Sequence, residues 1–462
     1  MPAPTPRTAS PSLAFPAFPG AEAARLLAIQ HQLSLSERWT PAELRAAQAR
    51  QLDLLLRHAA AEVPHYRERV TAALALPAED LAGRLAAIPV STRSDLQAAG
   101  EGLRARRLPA EHGKFATATT TGSTGEPLRF ARTSATNAVW LANALREYLW
   151  QGRDFSLKLG AIRMFPNAAG EPTEEGIRQP DWGPSVASIY PSGPGVYLSS
   201  SLTPDAQLRW LQRERPDYLT SYPSNLVALA DHAEARGVAL PSPRELRTIG
   251  ETVTPESRAR IESAWGCRVT DCYTCEEAGY LALQCPAGTH YHVMAESVIL
   301  EVLDDGGNPC ATGREGRVVV THLTNFITPF IRYELGDFAV PGEPGTCACG
   351  RTLPTLARIL GRRRNRLTLP DGTRVFPTFG IWTMGKEFAD AGVRRIRCIQ
   401  RSTRLLEFVL QSGRRLTEAE EARLREIAQA KSAAGFEVAI SYSQDPAFWK
   451  AGKHEAFFSD LA

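Results

Sequence analysis

The sequence has no apolar run approaching the roughly 20 residues that a membrane-crossing helix needs, so a bilayer span is not expected. It also lacks a charge excess. Its 53 Lys and Arg stand against 50 Asp and Glu, and a net +3 over 462 residues is too mild to point to nucleic acid or an anionic membrane. No Gly-x-x-x-x-Gly-Lys-Ser/Thr segment occurs, which sets aside a kinase-type phosphate loop. The first twenty residues, MPAPTPRTASPSLAFPAFPG, are broken by prolines and contain no apolar signal-peptide core. A flexible N-terminus over 1–20 and a cytoplasmic location are therefore expected. Internal repeats and long low-complexity tracts are missing as well. No cysteine precedes Cys267; the eight fall at 267, 272, 275, 285, 310, 347, 349 and 398. In a cytosolic chain such clustering suggests metal ligands or structural thiols before disulfides.

What is present describes a globular protein, with 43% hydrophobic and 22% charged residues over a length that calls for two or three domains. In TPAELRAAQARQLDLLLRHAAAEV, Thr40 is placed as an N-cap, Pro41 in the first turn and Glu43 three residues after the cap, with apolar residues following at helical spacing. From about 115 to 340, β-branched runs such as AESVILEVLDD and GREGRVVVTHLTN alternate with the helical stretches DAQLRWLQRER and PESRARIESAW, which predicts an α/β body with mixed sheets and helices. The texture changes at GRRRNRLTLPDG. Beyond it, RRIRCIQ and RLLEFVLQ read as paired strands. The helix LTEAEEARLREIAQAKSAAG follows, capped by Thr417 and Glu420 and closed by Gly435, and then the strand FEVAISYS. The expected organisation is a large domain over 21–360 followed by a small, mobile α+β domain over 361–462.

Among the segments between elements, TTTGSTGEP at 119–127 carries five hydroxyls and two glycines and nothing that could hold a core. It is either a bland polar loop or an anion cradle. In a cradle, Gly122 and Gly125 let the backbone approach a ligand while Thr120, Thr121, Ser123 and Thr124 donate to phosphate oxygens. Further along lie CYTCEEAGYLALQC with Tyr273 and Glu277, RYELGD with Arg332, Tyr333 and Asp337, LGRRRNRLTLPDG with Arg362, and AGKHEAF with Lys453. Taken in this order, from about residue 40 to the end, these motifs resemble the adenylate-forming enzymes, and most closely their phenylacetate-CoA ligase-like branch.

The resemblance implies a role for each segment. The loop from Thr120 to Gly125 would hold the β- and γ-phosphates of ATP; many relatives have Lys where this chain has Glu126, which leaves neutralisation to Mg²⁺ and backbone amides. Glu277 would be the Mg²⁺ ligand, since a hard dication bridging phosphates needs an oxygen anion beside them. Relatives usually carry Thr or Ser at the position of Glu276, so either glutamate remains open for that task. Asp337 would accept both ribose hydroxyls through charged hydrogen bonds worth roughly 1.5 to 3 kcal/mol each. Tyr273 would stack on adenine or serve as a core aromatic, and Gly250 and Glu251 of TIGETVTP would pass beside the base. Arg362 would open the small domain as its hinge, with Arg364 where relatives have an acidic residue or lysine. Lys453 would reach the carboxylate and α-phosphate, or be a solvated tail.

A separable signal comes from Cys285, His292, Cys347 and Cys349. Three thiolates and an imidazole are the ligand set of a closed tetrahedral structural Zn²⁺ site. His290 is the rival imidazole, and Cys272 with Cys275 a rival thiol pair. The expected activity is that of an AMP-forming acid–thiol ligase: ATP-dependent activation of a carboxylic acid, aromatic by resemblance, then transfer to coenzyme A. The alternatives are loading of an acyl carrier protein's phosphopantetheine arm and a zinc-braced nucleotide-binding protein without catalysis. The stretch from Arg362 to Arg366 and the cluster of Arg394, Arg395 and Arg397 would suit either a CoA phosphate or an acidic carrier. Trp140, Phe165, Tyr222 and Pro223 are candidate linings of the acid pocket.

Overall fold

The computed structural model describes residues 5–13, 15–119, 128–164, 172–377, 387–393, 395–430, 433–445, 448–449 and 457–461. The helix Pro41–Glu62 starts as its sequence predicts. Thr40 accepts from the Glu43 amide, and Glu43 accepts in turn from the Thr40 amide at 2.8 Å. Leu52, Leu55, Leu56 and Ala59 follow at the i, i+3, i+4, i+7 spacing of one helix face and are fully buried. That face joins the largest apolar cluster, which also takes in Tyr273, Tyr280, Val320 and Tyr333. Ahead of this helix, the Arg7 amide donates to the Ile189 carbonyl at 2.6 Å and the Ala9 amide to Phe18 at 2.6 Å.

The α/β body predicted from alternation is present and organised around one twelve-stranded sheet. Five neighbouring strands, Gly195–Ser199, Leu159–Arg163, Tyr218–Ser221, Glu245–Thr248 and Arg268–Cys275, run parallel. Parallel neighbours need crossover connections. The helices Pro204–Glu214, Pro223–Ala235 and Pro255–Trp265 supply three of them, burying Trp210 and Trp265. The remaining strands beyond Arg268–Cys275 are antiparallel: Gly279–Gln284, Tyr291–Val293, Thr355–Arg362, Tyr333–Pro341, Gly316–His322 and Val298–Leu303 in spatial order. The strand Arg268–Cys275 therefore joins the two halves, parallel on one side and antiparallel on the other.

Entry into the strand Tyr333–Pro341 is held by Arg332, which has φ +45°, a conformation that L side chains adopt at a cost. Its buried guanidinium donates to both Glu301 carboxylate oxygens at 2.9 and 3.0 Å and to the Ile88 carbonyl at 2.7 Å. Those three bonds fix the backbone where the strand begins. Two register shifts against Thr355–Arg362 follow.

Beyond residue 366 the described residues form a separate apolar cluster, with Ile396, Phe408, Leu424 and Phe436 at its centre. Leu405–Gln411 pairs antiparallel with Arg395–Gln400, as their sequences predict, and parallel with Glu437–Tyr442 across the helix Glu418–Gln429. Thr417 and Glu420 make the expected capping box. The helix ends earlier than its glycine suggested: it stops at Gln429, and the Ala433 amide bonds back to the Ala428 carbonyl at 3.1 Å. Gly435, at φ +83°, serves the turn into the next strand instead.

Candidate active site

In a sheet with parallel strands, ligands collect beyond the carboxyl ends of those strands. Here three such ends lie side by side: Ser221 leads to Tyr222, Thr248 to Gly250 and Glu251, and Cys275 to Glu276 and Glu277. Gly250 takes φ +74°, which turns the chain immediately after its strand. Glu251 is not left pointing outward. Its carboxylate accepts from the Ser224 amide at 3.1 Å and from the Ser224 hydroxyl at 2.9 Å, capping the helix Pro223–Ala235, whose own cap residue Tyr222 offers no side-chain bond.

The antiparallel half brings Asp337 to the same rim. The Tyr273 hydroxyl donates to Asp337 Oδ2 at 2.7 Å, and Arg362 Nε lies 3.8 Å from Oδ1. A Cβ placed on Gly361 would sit 3.2 Å from Thr252 Oγ1, so the strand carrying Arg362 runs directly against the loop that follows Gly250. Tyr273 is buried, and burial, followed by the Asp337 carboxylate, pushes its phenol well above the usual range. It stays a protonated donor, which makes it the support of Asp337.

The two glutamates separate by environment. Glu276 is over half exposed and pairs with Arg132 at 2.6 Å, whereas Glu277 is buried and faces Arg93 Nη1 at 3.9 Å. Burial pushes the Glu277 carboxyl up, with a backbone hydrogen bond and Arg93 opposing the rise. A buried carboxylate that lacks full compensation is a strong site for a dication.

A second cluster lies farther along the same sheet. One ligand atom each from Cys285, His290, His292 and Cys347 falls within 4.8 Å of the others. His290 Nε2 is 3.2 Å from Cys347 Sγ, and Cys285 Sγ is 3.7 Å from it. Cys349 adjoins the group through His292 Nε2 at 3.3 Å. The sequence-predicted set is thus gathered together with its rival imidazole. Cys272 and Cys275 are elsewhere: Cys272 Sγ lies against the Thr248 carbonyl, and Cys275 Sγ accepts from the Ala278 amide. Burial pushes the Cys285 thiol up to about 12 and the His292 imidazole down to about 4. Burial also raises the Cys349 thiol, but hydrogen bonds from Arg351 and its neighbouring thiols outweigh it and hold Cys349 below its ordinary range. Neutral imidazole and an accessible thiolate are the forms a metal takes.

Thr120, Thr121, Gly122, Ser123, Thr124, Gly125, Phe165, Arg394 and Lys453 lie outside the described residues. Trp140 is half-buried, 3.0 Å from a Cβ built on Gly279 and edge-on to Tyr280. Tyr222 accepts from the Met164 amide at 3.2 Å, and Pro223 is buried at the start of its helix. Arg395 and Arg397 donate to the Trp449 and Phe448 carbonyls at 3.2 and 2.7 Å, so these two are engaged within their own fold. Arg93 and Arg132 were not found from sequence. Arg93 sits in STRSDLQ, where only the Thr92–Asp95 capping box is visible, and Glu277 is brought to it by tertiary structure alone.

No family model matches the chain. A phenylacetate-coenzyme A ligase from Thermus thermophilus is 31% identical over 192 residues, which are 40% of this chain and 42% of that protein. The match thus spans less than half the length of that relative. A phenylacetate-coenzyme A ligase from Aromatoleum evansii is 26% identical over 350 residues, covering 73% of this chain and 74% of that one. Among solved structures, 2-hydroxyisobutyryl-CoA ligase in the postadenylation state with 2-HIB-AMP superposes with a TM-score of 0.68 at 20% identity, over 92% of this chain and 91% of that chain. The chain has the fold of the adenylate-forming CoA ligases, and these two curated proteins it aligns with carry the name of the branch that its motif order resembles. Among the described residues no helix is long and apolar enough to cross a membrane.

Proposed function

We propose that the protein is an AMP-forming ligase that activates a carboxylic acid, aromatic in class, as its acyl-adenylate and transfers the acyl group to coenzyme A. The observation that carries this reading is the convergence of Asp337, Tyr273 and Glu277 at the carboxyl ends of the parallel strands, inside a fold whose solved relatives bind acyl-adenylates. Asp337 takes the ribose hydroxyls and Tyr273 holds it in place. Gly250 and the turn after it pass beside the base. Glu277 would hold Mg²⁺, which when bound neutralises phosphate charge. The carboxylate oxygen of the acid attacks the α-phosphorus and pyrophosphate leaves; the thiol then attacks the acyl carbon and AMP leaves. The chain contributes position and charge more than covalent chemistry.

The segment Thr120–Gly125 is assigned to the β- and γ-phosphates, Arg362 to the hinge and Lys453 to the α-phosphate. The separate apolar cluster beyond residue 366 supports a small C-terminal domain beginning near 361. The solved relative is described in both a postadenylation and a thioesterification state, which supports a moving domain here. Zn²⁺ would be structural, on Cys285, His292 and Cys347. Of the two candidates for the fourth place, His290 groups more closely with these three than Cys349 does. Such an enzyme draws on cytoplasmic ATP and CoA, and that is the compartment we assign. ATP–pyrophosphate exchange with a panel of aromatic and aliphatic acids tests the reading. ATP binding without exchange for any acid would make the chain a nucleotide-binding protein instead, and acyl transfer to a phosphopantetheinylated carrier but not to CoA would replace the acceptor.

A further inference from the structure

The strands Phe115–Thr119 and Arg129–Thr133 form a two-stranded sheet of their own, apart from the twelve-stranded one. In the chain they flank the segment Thr120–Gly125 assigned to the phosphates. The hairpin is bonded to the loop after the strand Gly316–His322 through Ala131, whose amide donates to Thr328 Oγ1 at 3.1 Å and whose carbonyl accepts from Asn325 Nδ2 at 3.0 Å. Strand residues two apart share a face, so Phe130 and Arg132 project together. The Arg132 guanidinium lies 5.1 Å from the centre of the Phe130 ring and 4.5 Å from that of Trp140, which reaches it from the helix Ser134–Trp150.

Held between those rings, Arg132 spends one amino group on a single residue of the turn that joins Arg268–Cys275 to Gly279–Gln284. Its Nη2 donates to the Glu276 carbonyl and, at 2.6 Å, to Glu276 Oε2. The exposed Glu276 carboxylate thus seats the guanidinium on the carbonyl of its own residue. That carbonyl and the Glu277 amide belong to one peptide plane. A guanidinium fixed on the carbonyl therefore fixes the amide, and the amide is bonded to the Glu277 carboxylate itself. A cation on the carbonyl also polarises the peptide and strengthens its N–H as a donor. At the exit of the turn, Trp140 packs against Gly279, whose φ of +77° leads the chain into the next strand. The turn that presents Glu277 is clasped at its carbonyl by Arg132 and at its exit by Trp140.

Building on the acid-activating reading, we propose that Arg132 is a positioning residue for the Mg²⁺-dependent step: seated by Glu276, it orients Glu277 towards the dication and ties that glutamate to the hairpin flanking the phosphate segment. Three measurements test this on wild type, Arg132→Gln, Arg132→Lys, Glu276→Gln and Glu277→Gln, with thermal melts to verify folding. They are Mn²⁺ binding in the presence of ATP, read by electron paramagnetic resonance of the free ion, ATP–pyrophosphate exchange against Mg²⁺ concentration, and conversion of supplied acyl-adenylate to thioester. Partners that orient a metal ligand change metal affinity about ten- to a hundredfold when removed, so Arg132→Gln should weaken Mn²⁺ binding and raise the Mg²⁺ requirement of exchange by about tenfold or more. Thioester formation from supplied acyl-adenylate should stay within about twofold, because the metal ligand serves the first half-reaction. Arg132→Lys keeps a donor on the carbonyl and should recover part of the loss. Glu276→Gln removes only an exposed pairing and should cost about fivefold or less. Unchanged Mn²⁺ binding in folded Arg132→Gln, or equal losses in both half-reactions, overturns the positioning role while leaving acid activation standing; Arg132→Lys decides the same questions should Arg132→Gln fail to fold. A loss of Mn²⁺ binding in Glu276→Gln as large as in Glu277→Gln would make Glu276 the ligand and overturn it too. No exchange with any acid in wild type overturns acid activation itself, and this role with it.

Discussion

Replacing Asp337 by alanine is the sharpest perturbation of the site. A carboxylate has about four lone-pair sites, and Tyr273 occupies one of them on Oδ2. In the proposed reading two ribose hydroxyls donate to the same carboxylate. At roughly 1.5 to 3 kcal/mol for each hydrogen bond to a charged acceptor, their loss totals about 3 to 6 kcal/mol, or roughly two to four orders of magnitude in kcat/KM for ATP. Tyr273→Phe removes only the supporting bond and should cost about tenfold. The assay is ATP–pyrophosphate exchange, run in parallel with 2′-deoxy-ATP and with thermal melts to verify folding. Wild-type protein should discriminate against 2′-deoxy-ATP, and Asp337→Ala should be nearly indifferent to it, because a removed partner cannot be lost twice. A folded variant that retains near-normal exchange, or that still discriminates between the two nucleotides, would refute the placement of the ribose.

Protein purified without chelators should contain about one zinc per chain by mass spectrometry of metals, and Cys347→Ser should lose metal and melting temperature together; absence of metal in wild-type protein would remove the site. Lys453→Ala should slow adenylate formation by roughly two to three orders of magnitude while supplied acyl-adenylate is still converted to thioester, so an equal loss in both half-reactions would defeat the swinging assignment. Acid stability supplies a fourth test. Burial holds His322 down to about 4 from an ordinary 6.5, so the unfolded chain binds its proton first, and stability falls as pH drops from 6.5 towards 4. His322→Gln should flatten that limb of the melting curve, and an unchanged limb would show that other groups produce it.

Local chemistry made much of the fold legible. The capping boxes at Thr40 and Thr417 satisfy amides within three residues of themselves, so no tertiary information is needed to read them. Gly435 misled because a glycine after a helical run signals a left-handed turn without saying which element the turn serves. The union of parallel and antiparallel halves in a single sheet was not readable, since pairing between strands far apart in the chain leaves no periodic trace. The site shows the same division. Asp337 and Tyr273 are flagged by their motifs, although 64 positions separate them. Arg93 and Arg132 look like ordinary surface cations in sequence, and only packing against Glu277 and Glu276 distinguishes them.

The strand Arg268–Cys275 places Cys272 and Tyr273 on opposite faces of the sheet, as any strand must with consecutive residues. Tyr273 turns towards Asp337, while Cys272 lies on the side of Arg247. A substitution at one position of this strand is therefore felt on one side of the sheet and leaves the neighbours of the next position in place. Two adjacent positions of one strand thus answer to two different surroundings, Tyr273 to the Asp337 carboxylate and Cys272 to the Thr248 carbonyl.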